Sequence, residues 1–300
     1  MKEEKDMLSE KVRDIRVNWK ISDDKRDEGL TTPEDIVRFD NISYGPYGSD
    51  NLLDIYHQKE VTKPQKTIIS VHGGGWVYGS KEQYQFYGMR LAQRGFTFVN
   101  FNYRLAPEHK FPAQLEDLNL VCKWIMKRAG RFHFDTERIF GVGDSAGAHL
   151  LGLYAGICTN PEFGKKYDLT VPEGFALTAI ALNCGVYRMP VEEPESLTMQ
   201  VMKELLPNGG TKKELEDINV LNGITDVYPP VFCMTSVADV MKSQAPLLVQ
   251  TLTENNVPFV YRIFGDKVNK LEHVFHCDIK TIDAAQCNDA ECDFFREFCF

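Results

Sequence analysis

The chain has 300 residues, enough for one large domain, and its hydrophobic fraction of 43% is ordinary for a globular protein. A formal net charge of −9 with no lysine/arginine block excludes nucleic acid as a partner, because phosphate binding needs clustered cations. No apolar run approaches the length of a membrane span, and the charged start Met1-Lys2-Glu3-Glu4-Lys5-Asp6 lacks the apolar stretch of a secretory signal, so a cytoplasmic protein with no membrane partner is expected.

Residues 1 to about 35 are polar, with apolar positions at Met7, Leu8, Val12, Ile15, Val17 and Trp19. That spacing predicts one amphipathic helix, then a turn-rich connector ending at Thr32-Pro33. The segment is too small to be a domain and is expected to lean on the rest, over the functional site. From Ile36 the pattern becomes β: Ile36 to Tyr44 alternates, Gly45-Pro46-Tyr47-Gly48 turns, and Asn51 to His57 reads as the antiparallel partner. Thr67 to Val71 is a short apolar strand running into His72-Gly73-Gly74-Gly75-Trp76. A helix over Lys81 to Gln93, a strand over Phe96 to Asn102 and a helix over Pro112 to Ala129 follow. An apolar strand then runs to Gly143-Asp144-Ser145-Ala146-Gly147, and a helix continues to about Cys158.

Phe175 to Asn183 reads as another strand. Between Val186 and Asp226 there are only two short helical patterns, Leu197 to Leu206 and Thr211 to Ile218, which suggests an insertion lying over the sheet edge. A strand at Val231 to Val237, a helix at Met241 to Glu254, a strand at Val257 to Phe264 and a helical tail from about Ile279 complete the chain. Strands alternating with helices predict a mostly parallel sheet flanked on both faces, with ligands beyond the carboxyl ends of the strands.

Of eight cysteines, the last four lie near His273 and His276 and invite a zinc reading. There is no C-x-x-C pair, however, and Cys292, Phe295 and Cys299 share one face of a predicted helix, so free thiols and no metal are expected.

The chemistry centres on G-D-S-A-G, a match to G-x-S-x-G between a strand and a helix. Taken alone, the motif fits an ordinary tight βα turn as well as a nucleophile elbow. In the elbow, Ser145 takes positive φ, Gly143 and Gly147 give it room, and its hydroxyl stands exposed beside the unpaired amide of Ala146. A nucleophilic serine needs a base, and the base needs an acid to fix its tautomer. Of seven histidines, only His273 and His276 follow the last strand; His273 is the expected base and His276 its rival. His149 reads as a packed helical side chain and His72 as an organiser of the glycine loop. Asp239 follows the strand Val231 to Val237 and is the expected acid, although a helix N-cap is its alternative role; Asp226 comes too early and Asp266 too late. The run Gly73-Gly74-Gly75, with Ala146, offers backbone donors for an oxyanion. A phosphate cradle is the other reading of such a run, but G-x-x-x-x-G-K-[ST] is absent.

His72-Gly73-Gly74-Gly75-Trp76, Tyr103-Arg104-Leu105-Ala106-Pro107-Glu108-His109 and Gly143-Asp144-Ser145-Ala146-Gly147-Ala148-His149 together resemble the hormone-sensitive lipase family of α/β-hydrolases, continuously from about Tyr56 to Leu151. The resemblance implies the α/β-hydrolase fold: a single domain over 1–300, a mostly parallel sheet of about eight strands, and a small helical cap from 1–35 and 187–226. It implies catalytic Ser145, Asp239 and His273, and oxyanion donors Gly74, Gly75 and Ala146. Two features depart from the family pattern: its acid often stands in D-P-L, where this chain has Asp239-Val240-Met241, and the cysteine-bearing tail is not a family signature. The implied activity is hydrolysis of a small-molecule ester through an acyl-enzyme, without cofactor or metal. The small cap suggests short acyl chains, and Trp76, Tyr78 and Tyr187 are candidate substrate contacts. An amidase or aryl formamidase is the alternative enzyme, and a non-catalytic small-ligand binder, as in the gibberellin receptors, is the alternative class. The family includes monomers and dimers, and a homodimer is the preferred expectation.

Overall fold

The alternation of apolar residues along each strand assembles the sheet. In the computed structural model, which describes residues 9–299, eight strands form one sheet: β1 (Ile36–Ser43), β2 (Leu52–Gln58), β3 (Gln65–Val71), β4 (Thr97–Phe101), β5 (Phe134–Asp144), β6 (Ala179–Asn183), β7 (Val231–Ser236) and β8 (Phe259–Phe264). Their order is β1-β2-β4-β3-β5-β6-β7-β8. The pairs β1–β2 and β2–β4 are antiparallel and the others parallel, so the opening hairpin supplies one edge of a mostly parallel sheet.

Parallel neighbours need crossovers, and α2 (Lys81–Ala92), α3 (Ala113–Phe132), α4 (Ala146–Thr159) and α8 (Gln244–Glu254) supply them. Successive strand residues point to opposite faces, so two cores form. Ile69, Val99, Ile139 and Leu182 face one core, with Leu118 of α3, Leu150 of α4 and Leu248 of α8. Ile68, Phe98, Phe140 and Met234 face the other, with Leu91 of α2 and Phe295 of α9 (Ile282–Glu297). The central strands are buried on both sides, which is why they read as continuous apolar runs.

Several boundaries differ from expectation, among them the end of α3 at Phe132 and the start of β8 at Phe259, and two have a visible cause. β6 begins at Ala179 rather than Phe175, because Gly174 at φ 73° turns the chain and the Phe175 N–H bonds back to the Pro172 carbonyl. The buried ring of Phe175 packs on Tyr154 from a loop. α8 begins at Gln244 rather than Met241, since the Met241 N–H is taken by the Asp239 carboxylate. All eight cysteines are free thiols, and Cys287 and Cys292 lie with Phe295 on the buried face of α9.

Above the carboxyl ends of the strands lies α1 (Glu10–Asp27), capped by Ser9, whose side chain accepts the Val12 N–H. Met7 and Leu8, expected to begin this helix, lie outside the described residues. Val12 and Ile15 are buried and Trp19 half-buried on one stripe; Val17 falls off it and is exposed. Arg16 fastens the helix down: its guanidinium donates to the Val77 and Ala106 carbonyls and grips both Glu108 carboxylate oxygens at 2.7 Å. The short α5 (Pro161–Gly164) follows α4, and α6 (Leu197–Leu205) and α7 (Lys212–Asp217) lie between β6 and β7. The Phe111 N–H donates to Leu205 at the end of α6, and Thr211 and Glu214 close a reciprocal cap on α7. No helix among the described residues is long and apolar enough to cross a membrane.

Candidate active site

The tight joint between β5 and α4 dictates the residues around Ser145. A Cβ on Gly147 would lie 1.9 Å from the Val71 carbonyl oxygen, and one on Gly143 would lie 2.7 Å from Gly147 backbone atoms. With both neighbours reduced to glycine, Ser145 turns at φ 51°, ψ −117°. That left-handed conformation costs about 1–3 kcal/mol and persists only where the surroundings over-determine it. Here the Ser145 N–H donates to the Asn183 carbonyl at 3.0 Å, and its own carbonyl accepts the His149 N–H at 3.2 Å. The serine side chain does not cap α4, and Ser145 borders a cavity of about 200 Å³.

His273 lines the same cavity. Its Nδ1 lies 2.6 Å from Oδ1 of Asp239, which is buried on the turn after β7. The Asp239 carboxylate is fixed in turn, Oδ1 accepting the Met241 N–H at 2.8 Å and Oδ2 the Thr235 hydroxyl at 2.7 Å. Burial alone would raise this carboxyl; the hydrogen bond and charge of His273 outweigh it and hold it below the usual carboxylate range. A ring nitrogen facing a carboxylate carries the proton, so the neutral imidazole keeps its lone pair on Nε2. The loop carrying His273 is pinned to the end of β7: the Ala238 N–H donates to Leu271 at 3.0 Å and the Ser236 hydroxyl to Glu272 at 3.0 Å.

The other histidines have different surroundings. His276 is buried against Tyr87, and burial pushes it down to about 3. His149 is buried, bonded through Nε2 to the Ile218 carbonyl and set edge-on to Trp76, and is lowered to about 4 by burial. His72 stacks on Tyr103 at 4.0 Å with Nδ1 2.7 Å from the Gly73 carbonyl, beneath the glycine loop. Asp226 is exposed, and Asp266 accepts two amides of its own loop.

The glycine loop turns through φ 109° at Gly74 and 59° at Gly75, and a Cβ on Gly74 would lie 2.0 Å from the Tyr78 carbonyl oxygen. The Gly73 amide is already given to the Tyr84 hydroxyl at 2.9 Å. Among the described residues, no protein acceptor takes the amides of Gly74, Gly75 or Ala146, the first residue of α4. Gly74 lines the cavity with Ser145 and His273; Gly75 lies against the Trp19 indole, and Ala146 is buried next to Ser145 in the chain.

Of the three aromatic contacts expected, the structure places one at the cavity and corrects two. Tyr78 lines it, with its hydroxyl donating to Asp23 at 2.7 Å. Trp76 is buried instead, because φ 62° turns its ring down onto His149. Tyr187 is fully buried, with its hydroxyl donating to the Leu182 carbonyl.

Several lining groups were not singled out in the sequence. Trp19, Asp23 and Arg26 of α1 form one side of the cavity. They continue the stripe of Val12 and Ile15 at helical spacing, which was the available signal. Asp144, next to the serine, is fully buried and takes the Tyr84 hydroxyl at 2.7 Å; burial pushes it up to about 6 despite that bond. Tyr84 thus ties the glycine loop to the elbow.

Cys184, Asp239 and His273 place one metal-type donor atom each within 4.8 Å of one another. Two ligands of one tetrahedral zinc sit roughly 3.3 Å apart. The 2.6 Å contact between Asp239 and His273 is too short for that and suits a shared proton.

The arrangement sets an imidazole oriented by a carboxylate and a strained serine on one cavity, with unpaired backbone amides close by. Residues 53–252 match the BD-FAE family model. Esterase LipC of Mycobacterium tuberculosis is 36% identical over 47% of this chain and 35% of its own length. The acetyl esterase of Salmonella choleraesuis is 25% identical over 76% of this chain and 71% of its own. The chain's matches span between 35% and 48% of the lengths of the LipC, LipQ and LipM relatives. Esterase B from Lactobacillus rhamnosis superposes with a TM-score of 0.86 at 24% identity, covering 99% of this chain and 96% of that one, and shares the fold.

Proposed function

The chain belongs to the BD-FAE family, and we propose that it is a serine hydrolase of carboxylic esters with short acyl groups. The observation that carries this reading is the 2.6 Å bond from His273 to the buried Asp239, in a site where His273 and Ser145 border one cavity. Nε2 of His273 takes the Ser145 proton as Oγ bonds to the ester carbonyl carbon. The carbonyl oxygen gains the negative charge and is met by the Gly74, Gly75 and Ala146 amides, each such donor supplying about 3 kcal/mol in the transition state. As the tetrahedral species collapses, the C–O bond to the alcohol breaks and His273 returns the proton to the leaving oxygen. Water, deprotonated by His273, then attacks the acyl-serine; the acid leaves and Ser145 regains its proton. Asp239 keeps the ring oriented throughout and stabilises the imidazolium.

The cavity volume of about 200 Å³, walled by α1, supports acetyl to butyryl rather than long acyl chains. A series of 4-nitrophenyl esters from acetyl to octanoyl tests both parts. Saturable turnover that falls beyond butyryl and disappears in Ser145→Ala is expected. Absence of turnover with every ester overturns the hydrolase reading, and a rate that climbs to octanoyl overturns the short-chain part.

A further inference from the structure

The face that α9 turns to the sheet is apolar except at a few positions. Ala284, Cys287, Cys292, Phe294 and Phe295 are buried there, and Glu291 is fully buried among them. Its partners are the Tyr87 hydroxyl, donating to Oε1 at 2.7 Å, and the Asn183 side-chain amide, donating to Oε2 at 2.6 Å. A leucine would be buried here more cheaply than a carboxyl. The group therefore costs stability, and its effect lies in what it holds.

It holds the last residue of β6. Asn183 pairs with Asp144 across the sheet, and its carbonyl accepts the Ser145 N–H. The next residue, Cys184, turns at φ 47°, so the chain leaves the sheet abruptly just after the carbonyl that anchors the serine. The other end of the line is α2. Tyr84 and Tyr87 lie one turn apart on that helix: Tyr84 holds Asp144 and the Gly73 amide, while Tyr87 holds Glu291. One helix thus reaches the strained Ser145 along two lines of contact, through Asp144 on one and through Glu291 and Asn183 on the other.

Resting on the hydrolase reading, we propose that Glu291 is a positioning residue for Ser145, fixing the elbow from beneath through Asn183. It does not border the cavity and touches no reacting atom.

The test pairs kinetics with amide exchange. Glu291→Leu is expected to lower kcat about 10- to 100-fold while KM holds, because a small misplacement of the nucleophile affects the chemical step. Glu291→Gln restores most of kcat, since its carbonyl can accept from Asn183 and its amide can donate to Tyr87. Asn183→Ala gives a loss like that of Glu291→Leu, and the double variant shows little further loss, because both break one line of contact. Hydrogen exchange in the segment around Ser145 quickens in Glu291→Leu and Asn183→Ala, and stays slow in Glu291→Gln. A wild-type kcat with wild-type exchange in Glu291→Leu, or losses that multiply in the double variant, overturns the proposal. If Glu291→Leu fails to fold, Asn183→Ala decides in the same assays. If the wild type hydrolyses no ester, the hydrolase reading fails separately, and exchange at Ser145 still decides whether Glu291 holds the elbow.

Discussion

Replacing Glu291 with glutamine isolates the free energy of keeping an ionisable carboxyl in the core. Burial pushes this carboxyl from 4.5 up to about 7, even with the help of Asn183 and Tyr87. Between those values the folded protein keeps a proton that the unfolded chain has lost, so stability falls as pH rises through that window. Below about pH 4.5 both states are protonated and the group contributes nothing. Above about pH 7 the full penalty applies; at about 1.4 kcal/mol per pH step it comes to about 3 kcal/mol. Glutamine has the same shape and no proton to lose. Glu291→Gln is therefore expected to lie within about 1 kcal/mol of the wild type near pH 5 and to exceed it by about 3 kcal/mol near pH 8. Urea unfolding at pH 5, 6, 7 and 8, followed by tryptophan fluorescence, reads the difference between the two curves. The other titrating groups are common to both proteins and largely cancel. A gap that stays constant across that range, or widens toward acid, would refute the reasoning.

Three further outcomes follow from the site. Asp239→Asn replaces the carboxylate with an amide that can turn an N–H toward Nδ1 and favour the wrong His273 tautomer, so kcat should fall by about 10⁴ with circular dichroism unchanged; a rate within tenfold of wild type would move the acid elsewhere. Tyr84→Phe removes the hydroxyl between buried Asp144 and the Gly73 amide and should cost about 2–4 kcal/mol at pH 8. The loss should be smaller at pH 5, where Asp144, raised to about 6, is already neutral; an equal loss at both pH values in urea unfolding would contradict this. Trp19→Ala removes the indole over Gly75 and beside Tyr78, and should move the acyl-length optimum upward in the 4-nitrophenyl series. An unchanged optimum would mean that α1 does not set chain length.

What was legible in the sequence was local. A strand, two glycines around a serine and an apolar helix can form only a narrow range of joints, and a Cβ at Gly147 would run into the Val71 carbonyl. His273 and Asp239 were findable because each follows a strand, and such ends share one edge of a parallel sheet. Contacts between distant segments were not legible. Tyr84 meets Asp144 across 60 residues and Tyr87 meets Glu291 across 204, and each looks like an ordinary helical residue. The first 35 residues were expected over the site as a segment, but which of their side chains reach it was not legible; Asp23 and Arg26, in a charged run, wall the cavity with Trp19. Trp76 misled for a backbone reason: position after a glycine loop says where a residue lies, but its positive φ decides which way the ring points.

The two buried carboxyls beneath the serine explain one another. Asp144 adjoins Ser145 in the chain and Glu291 reaches it through Asn183; each takes a tyrosine hydroxyl from α2, and each is pushed up by burial, to about 6 and about 7. Above neutral pH both are charged in the dry core, so each then weighs against the folded state. Apolar residues would avoid that penalty, but they could not draw in a hydroxyl or an amide. A left-handed serine stays in place only if the groups around it are bonded more firmly than its strain pulls, and short contacts to carboxyl groups in a dry core are among the firmest a chain can make. On this account Glu291→Gln separates two properties that a purely structural residue would change together: it should gain stability at alkaline pH while the nucleophile keeps its place.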